Sequence, residues 1–326
     1  MLRSSALRRL ATALVAIVML TTAACSSGDD VTADDDPAAS ATGVFSALTY
    51  NVAGLPQALS GSDPEQYMPL IGPLLNAYDV VLTQEDFANP VPNDTPFQFF
   101  HEVLRSFTDH EYVPEAMVPP MGSNPDRPSA LTSDGLNMFS RFPVGPVTRV
   151  GWTQCFGGAD TSDKGAGDCL AVKGFTMAPV TLADGVVVDV YNLHGEAGST
   201  PADDEAARVG YLQLAAFINE RSSGNAIMLG GDTNLSASKS VDAEVWAGFL
   251  DSTGLTDICD AVDCPDEAGS IDKFAFRSSE AVTLEPTSRV VEYERFAAPG
   301  SPELNEGQLS DHRAISSTWR WVSLLG

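Results

Sequence analysis

The sequence predicts an α/β protein in which sheet strands alternate with helices. Three observations carry that expectation. From Val44 onward, short apolar runs alternate with segments of helical period. Helix starts carry an acid or a threonine followed by proline, as in Asp63-Pro64, Thr95-Pro96 and Thr200-Pro201. Polar residues recur at the ends of the apolar runs, where a sheet scaffold gathers a site.

Taken in order, Val44 to Tyr50 reads as the first strand and ends at Asn51. Asp63 caps a helix expected to reach Ala77, kinked or broken at Pro69 and Pro73. Asp79 to Thr83 is a buried strand that runs into Gln84-Glu85. After Thr95-Pro96, the residues Phe97, Phe100, Val103, Leu104 and Phe107 share one helical face. Further strands are read at Leu136 to Ser140, Ala171 to Met177 and Val186 to Leu193. Thr200 opens a long helix to Arg221, with Val209, Leu212, Ala216 and Phe217 placed inward. Ala226 to Leu229 is a strand ending in Gly230-Gly231-Asp232, and Val241 to Leu250 is a helix. Lys273 to Phe276 and the run from Ala314 are the closing strands.

The N-terminus has Arg3, Arg8 and Arg9, then an apolar run from Leu10 to Leu20, then Thr22-Ala23-Ala24-Cys25. A basic start, a short apolar stretch and small residues before a cut describe a secretory leader. The run falls short of the roughly 20 apolar residues that span a bilayer. The small residues before Cys25 resemble a bacterial lipobox. That resemblance implies cleavage after residue 24, lipid on the Cys25 sulfur and a cell-envelope location outside the cytoplasm. Residues 25–43 are then a flexible tether, nearly devoid of apolar side chains, and 44–322 form the folded domain.

Loss of the leader removes three arginines and no acid, leaving 15 basic against 44 acidic residues, a balance of −29. Such a surface repels polyanions and offers nucleic acid no basic footprint. Four cysteines remain beyond Cys25, an even number that reads as disulfides in an exported chain. Of the three connectivities, the sequence-near one, Cys155–Cys169 with Cys259–Cys264, is expected. Zinc is disfavoured, because neither pair has ligand spacing on both sides and no histidine lies nearby.

The polar clusters carry the chemistry. Leu309-Ser310-Asp311-His312 sets an acid beside an imidazole just before an apolar run, and His312 is one of four histidines. Asn51 follows the first strand; an amide there can hold a hard cation, or simply make a turn. Glu85 ends an apolar strand, a natural place for a Mg²⁺ carboxylate. His194 ends the run Val188 to Leu193. Gly230-Gly231-Asp232-Thr233-Asn234 joins close backbone approach to an acid and an amide. Asp272 heads a strand, where it can fix a histidine tautomer or merely cap the strand.

In this order the clusters resemble the endonuclease/exonuclease/phosphatase superfamily of DNase-like fold, from Val44 to about Trp319. The residues that carry it are Asn51, Glu85, the turn Ser140-Arg141-Phe142-Pro143, His194, Asp232 with Asn234, Asp272, and Asp311 with His312. Within the superfamily the chain is most similar to secreted bacterial sphingomyelinase C. It shares the Leu55-Pro56, Glu85-to-Asn89 and Asp168-to-Gly174 stretches. It departs at Gly195, where that group has leucine, and at Lys273, where relatives place tyrosine. It also shows no apolar, aromatic-tipped hairpin. The inositol-phosphate phosphatases fit less well, since Pro286-Thr287-Ser288-Arg289 lacks their tryptophan and acid.

The resemblance implies a four-layer sandwich, two mixed sheets packed face to face with helices outside. It also implies a monomeric phosphodiesterase using Mg²⁺, or another divalent ion such as Mn²⁺, on a phospholipid of sphingomyelin type. Glu85 and Asn51 would hold the metal. His312 would be the general base, oriented by Asp272, with Asp232 on the water. Asn234 and His194 would face the phosphoryl oxygens, and Asp311 would support the metal or phosphate side. An extracellular nuclease, another phosphatase of the superfamily and a non-catalytic binding lipoprotein are the alternatives.

Mass spectrometry of the mature protein should find Cys25 at its N-terminus carrying lipid. Cys25→Ala should move the protein from the membrane to the soluble fraction; an unmodified Cys25 would contradict the tether.

Overall fold

The computed structural model describes residues 41–88, 98–117, 127–264, 270–300 and 303–324. The leader, Cys25, the tether as far as residue 40, Asn89 and the helix start Thr95 to Phe97 lie outside the described residues. The elements run β1 (Thr42–Asn51), α1 (Pro64–Leu75), β2 (Val80–Gln84), α2 (His101–Ser106), β3 (Asn137–Ser140), β4 (Thr148–Gly151), β5 (Gly174–Ala183), β6 (Val186–His194), α3 (Pro201–Arg221), β7 (Ile227–Asp232), α4 (Ser240–Thr253), β8 (Thr256–Asp257), β9 (Asp272–Arg277), β10 (Val282–Val291) and β11 (Ile315–Ser323).

One sheet has the order β10-β11-β1-β2-β3 and the other β4-β5-β6-β7-β9-β8. Both are mixed: β1 pairs parallel with β2 and β6 with β7, while the other pairings are antiparallel. Strand alternation then builds the layers, because successive side chains point to opposite faces. Phe45, Ala47, Val80 and Leu82 meet Val188, Val190, Met228 and Phe274 in the core between the sheets. Leu48, Tyr50 and Val81 face the other way, against Tyr67, Met68, Ile71 and Leu75 of α1 and Leu104 of α2. Tyr191, Leu193, Ile227 and Leu229 pack on Tyr211, Leu214 and Ile218 of α3 and on Trp246 and Phe249 of α4. Central strands covered on both faces read as unbroken apolar runs, which is why they were legible. The result is the expected sandwich of two mixed sheets with helices outside.

The structure corrects several boundaries. β1 begins at Thr42, so two residues assigned to the tether belong to the sheet. α1 runs through Pro69 and Pro73 as one helix, its first turn capped by the Asp63 side chain on Gln66 N. Pro73 is exposed and Pro69 partly so, which leaves the carbonyls they fail to bond near solvent. α2 is one short helix, and Phe107 beyond it is exposed rather than packed. α3 starts with a Thr200–Asp203 capping box, but its buried face is Ala206, Ala207, Gly210, Tyr211, Leu214, Ala215 and Ile218. Leu212 is exposed and Val209 only half-buried, because small residues let this helix approach the sheet along a different stripe from the one its large side chains suggest. The strand expected from Ala171 starts at Gly174, since a 3₁₀ turn at Asp168–Leu170 precedes it. β4, β8 and β10 were not anticipated. β10 holds Pro286 at a register shift, and proline demotes a strand in any sequence reading.

Both expected disulfides are present, Cys155–Cys169 with Cα atoms 5.3 Å apart and Cys259–Cys264 at 5.5 Å. Trp319 of β11 stacks on Phe45 at 6.3 Å and meets Phe274 and Phe276 edge-on at 6.0 and 5.6 Å, joining the two sheets through one fully buried ring. Trp319→Ala should therefore cost about 3–5 kcal/mol in urea unfolding. A loss under 1 kcal/mol, order-of-magnitude, would show that the inter-sheet core closes over the gap.

Candidate active site

The sheet pairings place the polar residues at one end of the sandwich. Asn51 and Glu85 stand at the exits of the parallel strands β1 and β2. His194, Asp232 and Asp272 are register partners across β6, β7 and β9. His312 lies just before β11, which runs antiparallel to β1 and so returns to the same end. Ser310 secures that return: its hydroxyl donates to the Asn51 carbonyl at 2.7 Å.

Asp232, fully buried, is the hub. Its Oδ1 accepts from the Asn234 backbone N–H at 3.0 Å. Its Oδ2 accepts from Asn51 Nδ2 at 3.0 Å and lies 3.3 Å from His194 Nε2 and 3.7 Å from His312 Nε2. Asn51 Nδ2 also donates to Glu85 Oε1 at 3.1 Å, while its Oδ1 accepts from Ala53 N at 3.0 Å. The amide orientation follows: the oxygen must face the N–H and the nitrogen the acids. Asn51 thus bridges two carboxylates, and its oxygen, expected on a metal, is already engaged by the backbone. His312 Nδ1 faces Asp272 at 3.0 Å, leaving Nε2 toward Asp232. Asp311 is exposed at the rim, where its Oδ1 accepts from the Ser310 hydroxyl at 3.3 Å. Asn234 Nδ2 donates to the Gly195 carbonyl at 3.0 Å.

Strain and close approach mark the same place. Ala53, Glu85 and Asn234 adopt the left-handed backbone region, with φ near 51°, 52° and 51°. Non-glycine residues persist there only where surroundings hold them. Gly195, where the resembled group has leucine, is explained by contact: a Cβ would sit 2.2 Å from the Thr233 carbonyl oxygen.

Three carboxylates converge here: Glu85, with a partly open side chain, and the buried Asp232 and Asp272. Asp232, Asp272 and His312 offer ligand atoms within 4.8 Å of one another. Buried acids in excess of their local cations form a donor set that suits a hard divalent ion.

The sequence reading missed the layer beneath. Lys173, quoted only as part of a similar stretch, is buried, pairs with Asp168 at 2.7 Å and donates to the Gly195 carbonyl at 3.2 Å. Asp168 Oδ2 in turn accepts from Ala197 N at 2.5 Å. Arg127 Nη2 reaches Glu196 at 3.1 Å and the Trp152 carbonyl at 3.1 Å. Burial and the nearby Asp168 push the Glu196 carboxyl up to about 7. No sequence signal joins Arg127 to Glu196, since only the fold brings them together.

The α/β sandwich is the fold that solved endonuclease/exonuclease/phosphatase structures share. A structure of an endonuclease/exonuclease/phosphatase from Beutenbergia cavernae superposes with a TM-score of 0.59 at 14% identity, covering 85% of this chain and 71% of that one. Sphingomyelinase C from Streptomyces griseocarneus gives 0.54 at 16% identity, over 85% and 99%. A Staphylococcus aureus beta toxin variant with bound magnesium ions gives 0.56 at 14%, over 84% and 99%. No family model matches the chain. By sequence, the chain is similar to mycobacterial sphingomyelinases: those of Mycobacterium bovis and Mycobacterium tuberculosis are 33% identical over 309 residues. The match takes in 88% of this chain and 55% of theirs, so the chain spans about half the length of these curated relatives.

Electrostatics give a test. Burial opposes a charged His312, yet Asp272 and Asp232 outweigh it and hold the imidazole well above its ordinary 6.5. Its stabilising contribution is therefore complete below pH about 6.5 and is lost as pH rises through the folded-state pKa. Burial also opposes a charged Asp232, but His312 and His194 hold it well below the usual 3.8. That contribution is present above pH about 3.9 and is lost only in strong acid. In the metal-free protein, Asp272→Asn should lower the His312 pKa in an NMR titration; an unchanged value would contradict the pairing.

Proposed function

We propose that the chain is a divalent-metal-dependent phosphodiesterase that removes the phosphorylated head group of a choline phospholipid, with sphingomyelin as the favoured substrate. The observation that carries this reading is the His312 imidazole held between Asp272 and Asp232 in an acid-rich cleft. The sequence likeness to sphingomyelinases supplies the substrate class. Glu85, with Asp232 beside it and Asn51 bridging them, is the group that would hold Mg²⁺ or Mn²⁺, whose charge would be supplied to the phosphoryl and leaving oxygens.

The chain's own residues do the rest. Asp272 accepts at Nδ1 of His312 and so keeps Nε2 as the basic atom. Nε2 takes a proton from the attacking water, and Asp232, whose Oδ2 lies 3.7 Å from Nε2, orients that water. His194 and the Asn234 amide face the negative charge that grows on the phosphoryl oxygens. Lys173, held by Asp168, adds positive charge behind Asp232. Asp311 serves the open rim. Water attacks in line and the enzyme forms no covalent intermediate.

Two disulfides support an oxidising compartment, and lipid on Cys25 would keep the enzyme at the outer envelope surface, beside a lipid substrate. The balance of −29 opposes a nucleic-acid substrate.

Phosphocholine release from sphingomyelin vesicles should need Mg²⁺ and stop with chelator. His312→Ala should lower turnover by about 10²–10⁴. Glu85→Gln should instead raise the Mg²⁺ concentration needed for half-maximal rate. Equal release with and without chelator, or activity on DNA alone, would overturn the reading.

A further inference from the structure

Glu85 can reach Asn51 only through a strained backbone, with φ near 52° at the end of β2. The residue that follows it is a second acid with no part in the chemistry above. Asp86 is 1% exposed, and its Oδ2 accepts from three side chains: His101 Nδ1 at 2.9 Å, Thr83 Oγ1 at 3.0 Å and Asn137 Nδ2 at 3.0 Å. Asn137 Nδ2 also donates to the Asp86 carbonyl at 2.6 Å, and Asp86 N donates to the Gly135 carbonyl at 3.0 Å. At the opposite edge of the same peptide, Gly54 N donates to the Glu85 carbonyl at 3.1 Å. A Cβ at Gly135 would come within 3.1 Å of the Glu85 Cα, so this turn is also closely packed.

His101 is 1% exposed as well, the first residue of α2, with its ring 6.2 Å from that of Phe139. A buried acid–imidazole pair is costly to desolvate and is weak evidence for stability alone. Its geometric effect is specific. By fixing Asp86 at side chain, N–H and carbonyl, the network leaves the preceding residue a single backbone conformation. The carboxylate needed in the cleft rules out glycine at position 85, so the left-handed turn must be held from outside.

We infer that the buried Asp86–His101 pair is a positioning device for Glu85, holding the turn that presents its carboxylate to the cleft and thereby setting the affinity for a divalent cation. The inference rests on the reading of Glu85 as a cation-binding carboxylate. His101 is a positioning residue: it touches neither substrate nor cation.

Calorimetric titration with Mn²⁺ tests it, alongside thermal unfolding and the Mg²⁺ dependence of turnover. His101→Leu should weaken Mn²⁺ binding about 10-fold, the usual size for loss of an outer-shell partner. His101→Asn, which restores a donor near the Nδ1 position, should recover most of it. Leu104→Ala, a cavity in the same helix, should lower the melting temperature and leave Mn²⁺ affinity unchanged. If His101→Leu does not fold, Thr83→Val removes one donor from the same carboxylate and should weaken binding in the same direction. Wild-type affinity in the folded variant used, or an equal loss in Leu104→Ala, would overturn the positioning role while leaving the cation reading intact. Absence of Mn²⁺ binding by the wild-type chain would overturn both.

Discussion

Mutual repulsion among Glu85, Asp232 and Asp272 is the constraint on which this site depends. Three carboxylates packed into one sheet mouth cannot all stay ionised without compensation. The chain compensates locally with Asn51, whose single NH₂ group serves two of the acids, and with His194 and His312. Without a cation, the acids bias the His312 imidazole toward its charged form, a bias that a bound divalent ion would relieve so that Nε2 can serve as the base, and the imidazoles bias Asp232 toward its ionised form. An acid cluster balanced in this way is poised for added positive charge, from a cation on one side and Lys173 on the other.

Holding such a cluster requires the two sheets to keep their offset. Beneath the cleft, Gln84 Nε2 of β2 donates to Asn192 Oδ1 of β6 at 2.7 Å, and Asn192 Nδ2 donates back to the carbonyls of Thr83 and Asn137. These amides are fully buried between otherwise apolar layers. A buried polar tie of this kind specifies one sheet-to-sheet arrangement, where aliphatic contacts alone would accept several. It sets Glu85 of one sheet opposite His194 and Asp232 of the other. The departures from the resembled pattern are also local necessities. Gly195 leaves room for the Thr233 carbonyl and offers its own to Lys173 and Asn234. Lys273 turns to the Ser270 carbonyl at 2.9 Å.

Much of the fold was readable because its central strands are buried on both faces and its helices carry strong start signals at Asp63 and Thr200. The inner face of α3 was misread, since alanines and a glycine lie against the sheet while Leu212 looks outward. β10 was missed because Pro286 interrupts its pattern. His101 looked like an ordinary helix-face residue. Its burial depends on Thr83 of β2, Asn137 of β3 and Asp86 in the turn just beyond β2.

The sequence by itself determined which residue types end which strands, and therefore the members of the cleft: Asn51, Glu85, His194, Asp232, Asn234, Asp272, Asp311 and His312. Strand period and chain direction are local properties, so they survive in one dimension. What tertiary structure alone decided is what each member does for its neighbour. Asn51 became a bridge between acids because β1 lies between the mouths of β2 and β7. Asp311 went to the rim while His312 turned inward, because Ser310 anchors the turn before β11. Lys173, Arg127 and Glu196 acquired their places through hydrogen bonds between distant segments. Such contacts depend on distances across the fold, and sequence separation carries no information about them.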